Sequence, residues 1–311
     1  MRFVRSALIS SAVIAPVVAL AGCQSNPSTA AYVGDQTVST KQLQHDVNQG
    51  YTNAAIKASW SQGDYRQQVL QNQITHVLLQ RAAQSTKVTV ANTEGPELLQ
   101  QLKAHIQGGA SELNAELVKQ GVAPSQQASH FQDVALAGQL AVKRGMISAY
   151  QIGLIELPTQ AAANKVAQQL QTDESQYAAI AAKHPGQNTV PQPTSLSSLE
   201  FAQSFGPQNA AAARSHTSFV LQVPQSTSFA AVHVFSVDQP LSEMPATARV
   251  SLLQEGYSQL APALLKKPGV KIRVNPRFGS WNAKQGKVDG AVSPAVMTSK
   301  PTASKSPQTS Q

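Results

Sequence analysis

Covalent chemistry in this chain has one thiol to work with. Cys23 is the only cysteine in 311 residues, so no intramolecular disulfide can form. The other reactive candidates are the seven histidines: His45, His76, His105, His130, His184, His216 and His233. No pair of them stands in an HExxH pattern, and there is no cysteine cluster, so the spacing predicts no metal site. There is no G-x-S-x-G elbow and no phosphate-binding loop, so no cofactor is expected. Serines are plentiful, but spacing alone singles out no Ser/His/Asp set.

The residues around Cys23 say how that thiol would be used. Met1-Arg2-Phe3-Val4-Arg5 is a basic start, and Ala7 to Leu20 is an apolar stretch. That pattern, followed by small residues, is a secretory signal peptide. The stretch, at about 14 residues, is short of the roughly 20 that a membrane span needs. Leu20-Ala21-Gly22-Cys23 resembles the lipobox of bacterial lipoproteins. The resemblance implies cleavage before Cys23 and lipidation of its thiol, palmitate being one such acyl group. Two acyl chains hold a protein on a membrane where one holds it only marginally. The expected location is therefore extracytoplasmic and lipid-anchored to the cell membrane. Gln24 is not an inner-membrane retention signal of the Asp type, so the anchor would be in the outer membrane if the cell has one. The alternative is a soluble secreted protein in which Cys23 falls there by chance.

Composition narrows the partners. The net charge is +8, but charged residues are only 13% of the chain. No dense Lys/Arg stripe with interleaved aromatics is present, so no nucleic acid is expected as a partner. Residues 282–311 are rich in Ser, Thr, Pro, Lys and Gln and are expected to be disordered. About 250 residues remain to fold, enough for one large domain or two small ones.

Along the chain, Ala31 to Ser39 is a small hairpin around Gly34-Asp35-Gln36, and Ser39 or Thr40 caps a helix. Asp64 is a candidate N-cap for a longer helix to Ser85, with Tyr65, Val69, Ile74, Val77, Leu78 and Ala82 near one stripe. Lys87 to Val90 is extended. A helix follows Asn92-Thr93-Glu94 and is broken by Gly108-Gly109. Ser111 to Gln120 is helical with Gly121 past its end, and Pro124 opens a helix to about Arg144. The second half changes character: strand at Ile147–Leu157, helices at 160–170 and 175–182, loop at 186–194, strands at 219–224 and 229–237. Ser242 is a possible cap for a helix from Met244 to Leu265. Lys271–Asn275 is a strand suited to pairing with an early one, and Pro276 to Trp281 closes the folded part. The fold class is α+β.

In its order of elements the mature chain resembles the extracytoplasmic SurA/PrsA-like foldases, actinobacterial lipoproteins of that type among them. The matching features are the small V-x-G strand pair, the striped helix, the V-T-V link, and the Gly121-Val122 turn before Pro124. Val274-Asn275-Pro276-Arg277-Phe278-Gly279 is similar to the family's ending. The resemblance implies a helical domain over 31–146, reached from signal peptide 1–22 by tether 23–30. That domain would be completed by a returning helix and strand in 241–281. Between them, residues 147–240 would be an inserted parvulin-type (PpiC) prolyl isomerase domain. Its two pocket histidines align with Gln151 and His233, so one is replaced and one retained. Asn188 to Thr194 stands where the family has a glycine-rich motif.

Isomerisation needs no covalent step, only a pocket that binds the twisted amide better than the planar one. With one histidine and the glycine motif missing, the expected function is a membrane-anchored chaperone of unfolded or nascent secreted proteins with little catalysis. The alternatives are an active isomerase using His233 and Gln151, and an envelope lipoprotein that holds one partner. Val69, Leu78, Leu99, Leu102, Phe131 and Leu140 are the candidate groove positions, against the simpler reading of internal packing.

Overall fold

The computed structural model describes residues 26–289 apart from Gln107. Cys23, the signal segment and positions 290–311 of the expected tail lie outside the described residues.

Gly34 (φ +64°) and Asp35 connect β1 (Thr29–Val33) to an antiparallel β2 (Gln36–Ser39). A left-handed φ in a two-residue turn favours glycine. Ser39 then caps α1 (Thr40–Tyr51), its Oγ accepting from the Gln42 amide at 3.0 Å. Asn53 caps the short α2 (Ala54–Ser59). The long α3 (Gln62–Thr86) starts at Ser61, three residues before the expected cap. Ser61 Oγ accepts from the Asp64 amide at 3.1 Å and donates to its carboxylate at 2.7 Å. Asp64 is thus an acidic residue in the first turn, where the helix dipole favours it. Lys87, left-handed at φ +56°, ends α3. The stretch to Val90 joins no strand.

Two glycines with positive φ, Gly108 and Gly109, separate α4 (Glu94–His105) from α5 (Gly109–Lys119). Gly121 closes α5 as expected. Its amide donates to the Val118 carbonyl at 2.9 Å, and the Val122 amide donates to that of Leu117 at 2.9 Å, satisfying carbonyls that the helix end leaves open. A single 3-10 turn, Pro124–Gln126, leads into α6 (Gln127–Lys143).

Next come β3 (Ala149–Leu157), α7 (Gln160–Thr172), α8 (Tyr177–Lys183) and β4 (Thr194–Ser197). They are followed by α9 (Ser198–Phe205), α10 (Pro207–Ala212), β5 (Thr217–Gln222) and β6 (Phe229–Val237). The strands form one antiparallel sheet in the order β4-β3-β6-β5. Ile155, Leu157 and Ala231 pack with Ala163, Val166 and Tyr177 of α7 and α8. Tyr150, Ile152 and Val234 pack with Phe201 of α9, whose ring stacks on Tyr150 at 4.3 Å.

The chain then returns. Ser242 lies inside a 3-10 turn and Pro245 occupies the position before α11 (Ala246–Lys266), so Ser242 is not the cap expected of it. α11 crosses α6 where Gly138 and Gly256 meet; a Cβ on Gly256 would stand 2.6 Å from the Gly138 Cα. β7 (Ile272–Val274) pairs antiparallel with β1, Ala31 opposite Val274 and Val33 opposite Ile272. The returning strand therefore pairs with the first one, as its sequence suggested.

Trp281 does not close the folded part. β8 (Trp281–Asn282) and β9 (Lys287–Val288) form a further hairpin. Val288 is completely buried, and its amide donates to Gln71 Oε1 at 2.7 Å. The expectation of disorder from residue 282 is corrected for 282–289. One apolar side chain and two backbone partners for a buried glutamine anchor a stretch that is otherwise polar.

A helical cleft and a buried histidine

Two places hold the side chains singled out above. The first is the centre of the sheet. Gln151 on β3 pairs in register with Ser236, and His233 on β6 pairs with Gly153 on one side and Ser218 of β5 on the other. His233 is 0% exposed. Its Nδ1 bonds Ser218 Oγ at 2.8 Å and its Nε2 bonds Glu174 Oε2 at 3.1 Å. A carboxylate only accepts, so Nε2 carries a proton. His216, from a left-handed backbone at φ +61°, reaches the same Glu174 oxygen at 2.8 Å. These bonds, that of His216 first, hold the Glu174 carboxyl below its ordinary range.

The space before His233 is filled. Phe235 stands edge-on to its ring at 4.6 Å. The Tyr177 ring lies over bare Gly153, where a Cβ would come within 2.1 Å of it. Tyr177 Oη accepts from the Leu154 amide at 2.9 Å and donates to the Val190 carbonyl. Burial pushes its pKa up to about 12. The segment in place of the glycine-rich motif is fastened down as well. Asn188 donates to Glu156 Oε2 from its backbone at 3.0 Å and from its side chain at 3.1 Å. The Val190 amide donates to the Leu154 carbonyl at 2.8 Å. Both ring nitrogens of His233 are engaged, and the ring of Phe235 stands against its own. The arrangement ties β5 and β6 to the 3-10 turn that carries Glu174, and it leaves His233 no exposed surface.

The second place is a cleft of about 580 Å³ in the helical part, within the size range of ligand sites. Thr37, Val38 and Ser39 of β2 and Gln42, Asp46 and Gln49 of α1 form one wall. Val69, Asn72, Gln73, His76 and Val77 of α3 form another. Ser125, Gln126, Ser129, His130 and Asp133, from the turn and α6, form the third, and α11 contributes Tyr257. Asp46 accepts from Gln42 Nε2 at 2.8 Å and from Gln73 Nε2 at 2.6 Å. Asp133 accepts from His76 Nδ1 at 2.7 Å, which raises the His76 pKa. His130 stands edge-on to Tyr257 at 5.4 Å, and burial lowers its pKa. Burial raises that of Tyr257.

Of the six expected groove positions only Val69 reaches this cleft. Leu78, Leu99, Leu102, Phe131 and Leu140 are buried among other apolar side chains. The amphipathic faces have packed on one another, and the cleft opens on their polar side. Among the described residues no group of three His, Cys, Asp or Glu side chains is arranged to hold a metal ion. No described helix is long and apolar enough to cross a membrane.

Ser218 was legible in principle, because the β5–β6 hairpin register sets it opposite His233. Nothing local marks Glu174 or the pairing of His76 with Asp133, since each joins residues more than fifty positions apart. No protein-family model matches the chain, and no curated protein is significantly similar to it.

Proposed function

We propose that this protein is an extracytoplasmic chaperone, held at the membrane by lipid on Cys23, that binds extended polypeptide in the helical cleft and does not isomerise prolines at His233. One observation carries the reading. The molecule's 580 Å³ cleft lies among α1, α3, α6 and α11, whereas His233 is fully buried with both nitrogens engaged. The cleft depends on the returning helix for Tyr257, which suits a helical domain completed from the far end of the chain. The sheet order β4-β3-β6-β5, with Gln151 and His233 on its two central strands, suits an inserted parvulin-like domain that has lost its pocket. Rows of amide and hydroxyl groups over a partly apolar floor give main-chain groups partners without demanding one side chain.

Two assays on the full chain in detergent test this. It should suppress aggregation of an unrelated unfolded protein near stoichiometric amounts. It should leave the cis-to-trans relaxation of an Xaa-Pro peptide at the uncatalysed tens to hundreds of seconds. Acceleration abolished by His233→Ala would make the protein an isomerase, and absence of any protection would remove the chaperone reading.

A further inference from the structure

We infer that the helical cleft selects cationic segments, taking a lysine or arginine side chain of the bound polypeptide with its head at Asp46. This rests on the reading of the cleft as a polypeptide site and names the class of residue it prefers.

The chain carries a net charge of +8, yet no lysine or arginine lines the cleft. Its charged lining groups are Asp46 and Asp133, with His76 beside the latter. Asp46 is half-buried, and the side chains that bond its carboxylate, Gln42 and Gln73, are both neutral amides. Such donors solvate a carboxylate and leave its charge in place, so a cation brought there gains a charge-assisted bond. The Gln73 amide nitrogen is committed to Asp46, which leaves Oε1 buried without a hydrogen-bond partner, the kind of orphaned acceptor that buried sites avoid.

The rest of the lining suits the stem of such a side chain. Val38, Val69 and Val77 offer aliphatic contact for the methylenes of lysine or arginine, which lie along apolar surface while the head stays polar. The His130–Tyr257 pair supplies aromatic surface at the floor, and aromatic faces attract guanidinium and ammonium groups.

The test uses the full chain in detergent and two fluorescent ten-residue peptides with the same apolar residues. One carries lysine and arginine; the other has glutamate at those positions. Anisotropy should show the basic peptide bound at least roughly tenfold more tightly, the equivalent of one charge-assisted contact. Asp46→Asn should remove most of that preference, by weakening the basic peptide and relieving the repulsion of the acidic one. Asp46→Ser gives a second reading if Asp46→Asn fails to fold. Equal affinities for the two peptides, or an unchanged preference in both variants, would overturn the inference and leave the chaperone reading standing. Failure of both peptides to bind, together with no protection in the aggregation assay, would overturn both.

Discussion

Asp133 stands beside two histidines that it does not affect equally. His76 is half-exposed and bonded to the carboxylate, and that bond raises its pKa above the usual 6.5. His130 is pushed below 6.5 by burial, and the nearby charge of Asp133 only partly offsets this. The linkage signs are opposite. The His76 contribution to stability is fully present below pH 6.5 and is lost as pH rises through its raised folded pKa. The His130 contribution is present above pH 6.5 and is lost as pH falls through its lowered one. Ring proton chemical shifts followed against pH should therefore give two midpoints that bracket 6.5. Asp133→Asn should bring the His76 midpoint down to 6.5 or below, because burial then acts on it alone, and lower that of His130 further. Coincident midpoints in the unaltered protein would mean that the cleft does not hold the two rings as described.

At the scale of elements, the α6–α11 crossing depends on glycine. A Cβ on Gly138 would stand 2.6 Å from the Leu253 Cα, a backbone contact that no rotamer relieves. Gly138→Ala should therefore cost about 1–3 kcal/mol, as overpacking does, despite alanine's better helix propensity. Thermal unfolding reads this directly, and a stabilised variant would mean that the helices do not cross so closely. The terminal hairpin makes a second case. Ending the chain at Gly279 removes buried Val288 and both backbone partners of the Gln71 side chain. Loss of one buried valine and of these hydrogen bonds should cost roughly 3–5 kcal/mol relative to a chain ending at Asp289. These elements also mark how far sequence carried. Gly121, Ser39 and the Gly34-Asp35 turn were legible because each acts on its own neighbours. Asp64 was misread because Ser61 and Asp64 are both good caps, and their mutual bonding decides between them. Residues 282–289 were missed because composition averages over a stretch in which one valine does the anchoring. The cleft was invisible because its walls come from four segments, and the apolar stripes that suggested a groove are what the core consumed.

Across the whole molecule, β7 pairs with β1 near the two ends of the described chain, and the four-stranded sheet with α7–α10, here the sheet unit, comes between them in the sequence. The Gln239 amide donates to the Ala149 carbonyl at 3.0 Å, so the exit and entry strands are already side by side. The chief polar tie between the units is Glu255 of α11. It accepts from Ser198 Oγ at 2.8 Å and from the Leu199 amide at 3.2 Å. A carboxylate at the N-terminus of α9 is favoured by the dipole there. Glu255 is nearly buried between the units, and removing the sheet unit would return it to water, so excision leaves no stranded charge. Replacing residues 151–237 with a short glycine linker should thus give a protein that keeps its helical circular dichroism and binds peptides as the full chain does, because every cleft residue lies outside the excised stretch. The same arrangement orders folding: β1 cannot gain its partner β7, nor the cleft its Tyr257, until the last part of the chain is made, and such long-range pairing slows assembly. Excision shortens that separation without altering the contacts, so the shortened protein should also refold faster. Refolding at the full chain's rate would show that neither the sheet unit nor the length of the chain's return sets the pace.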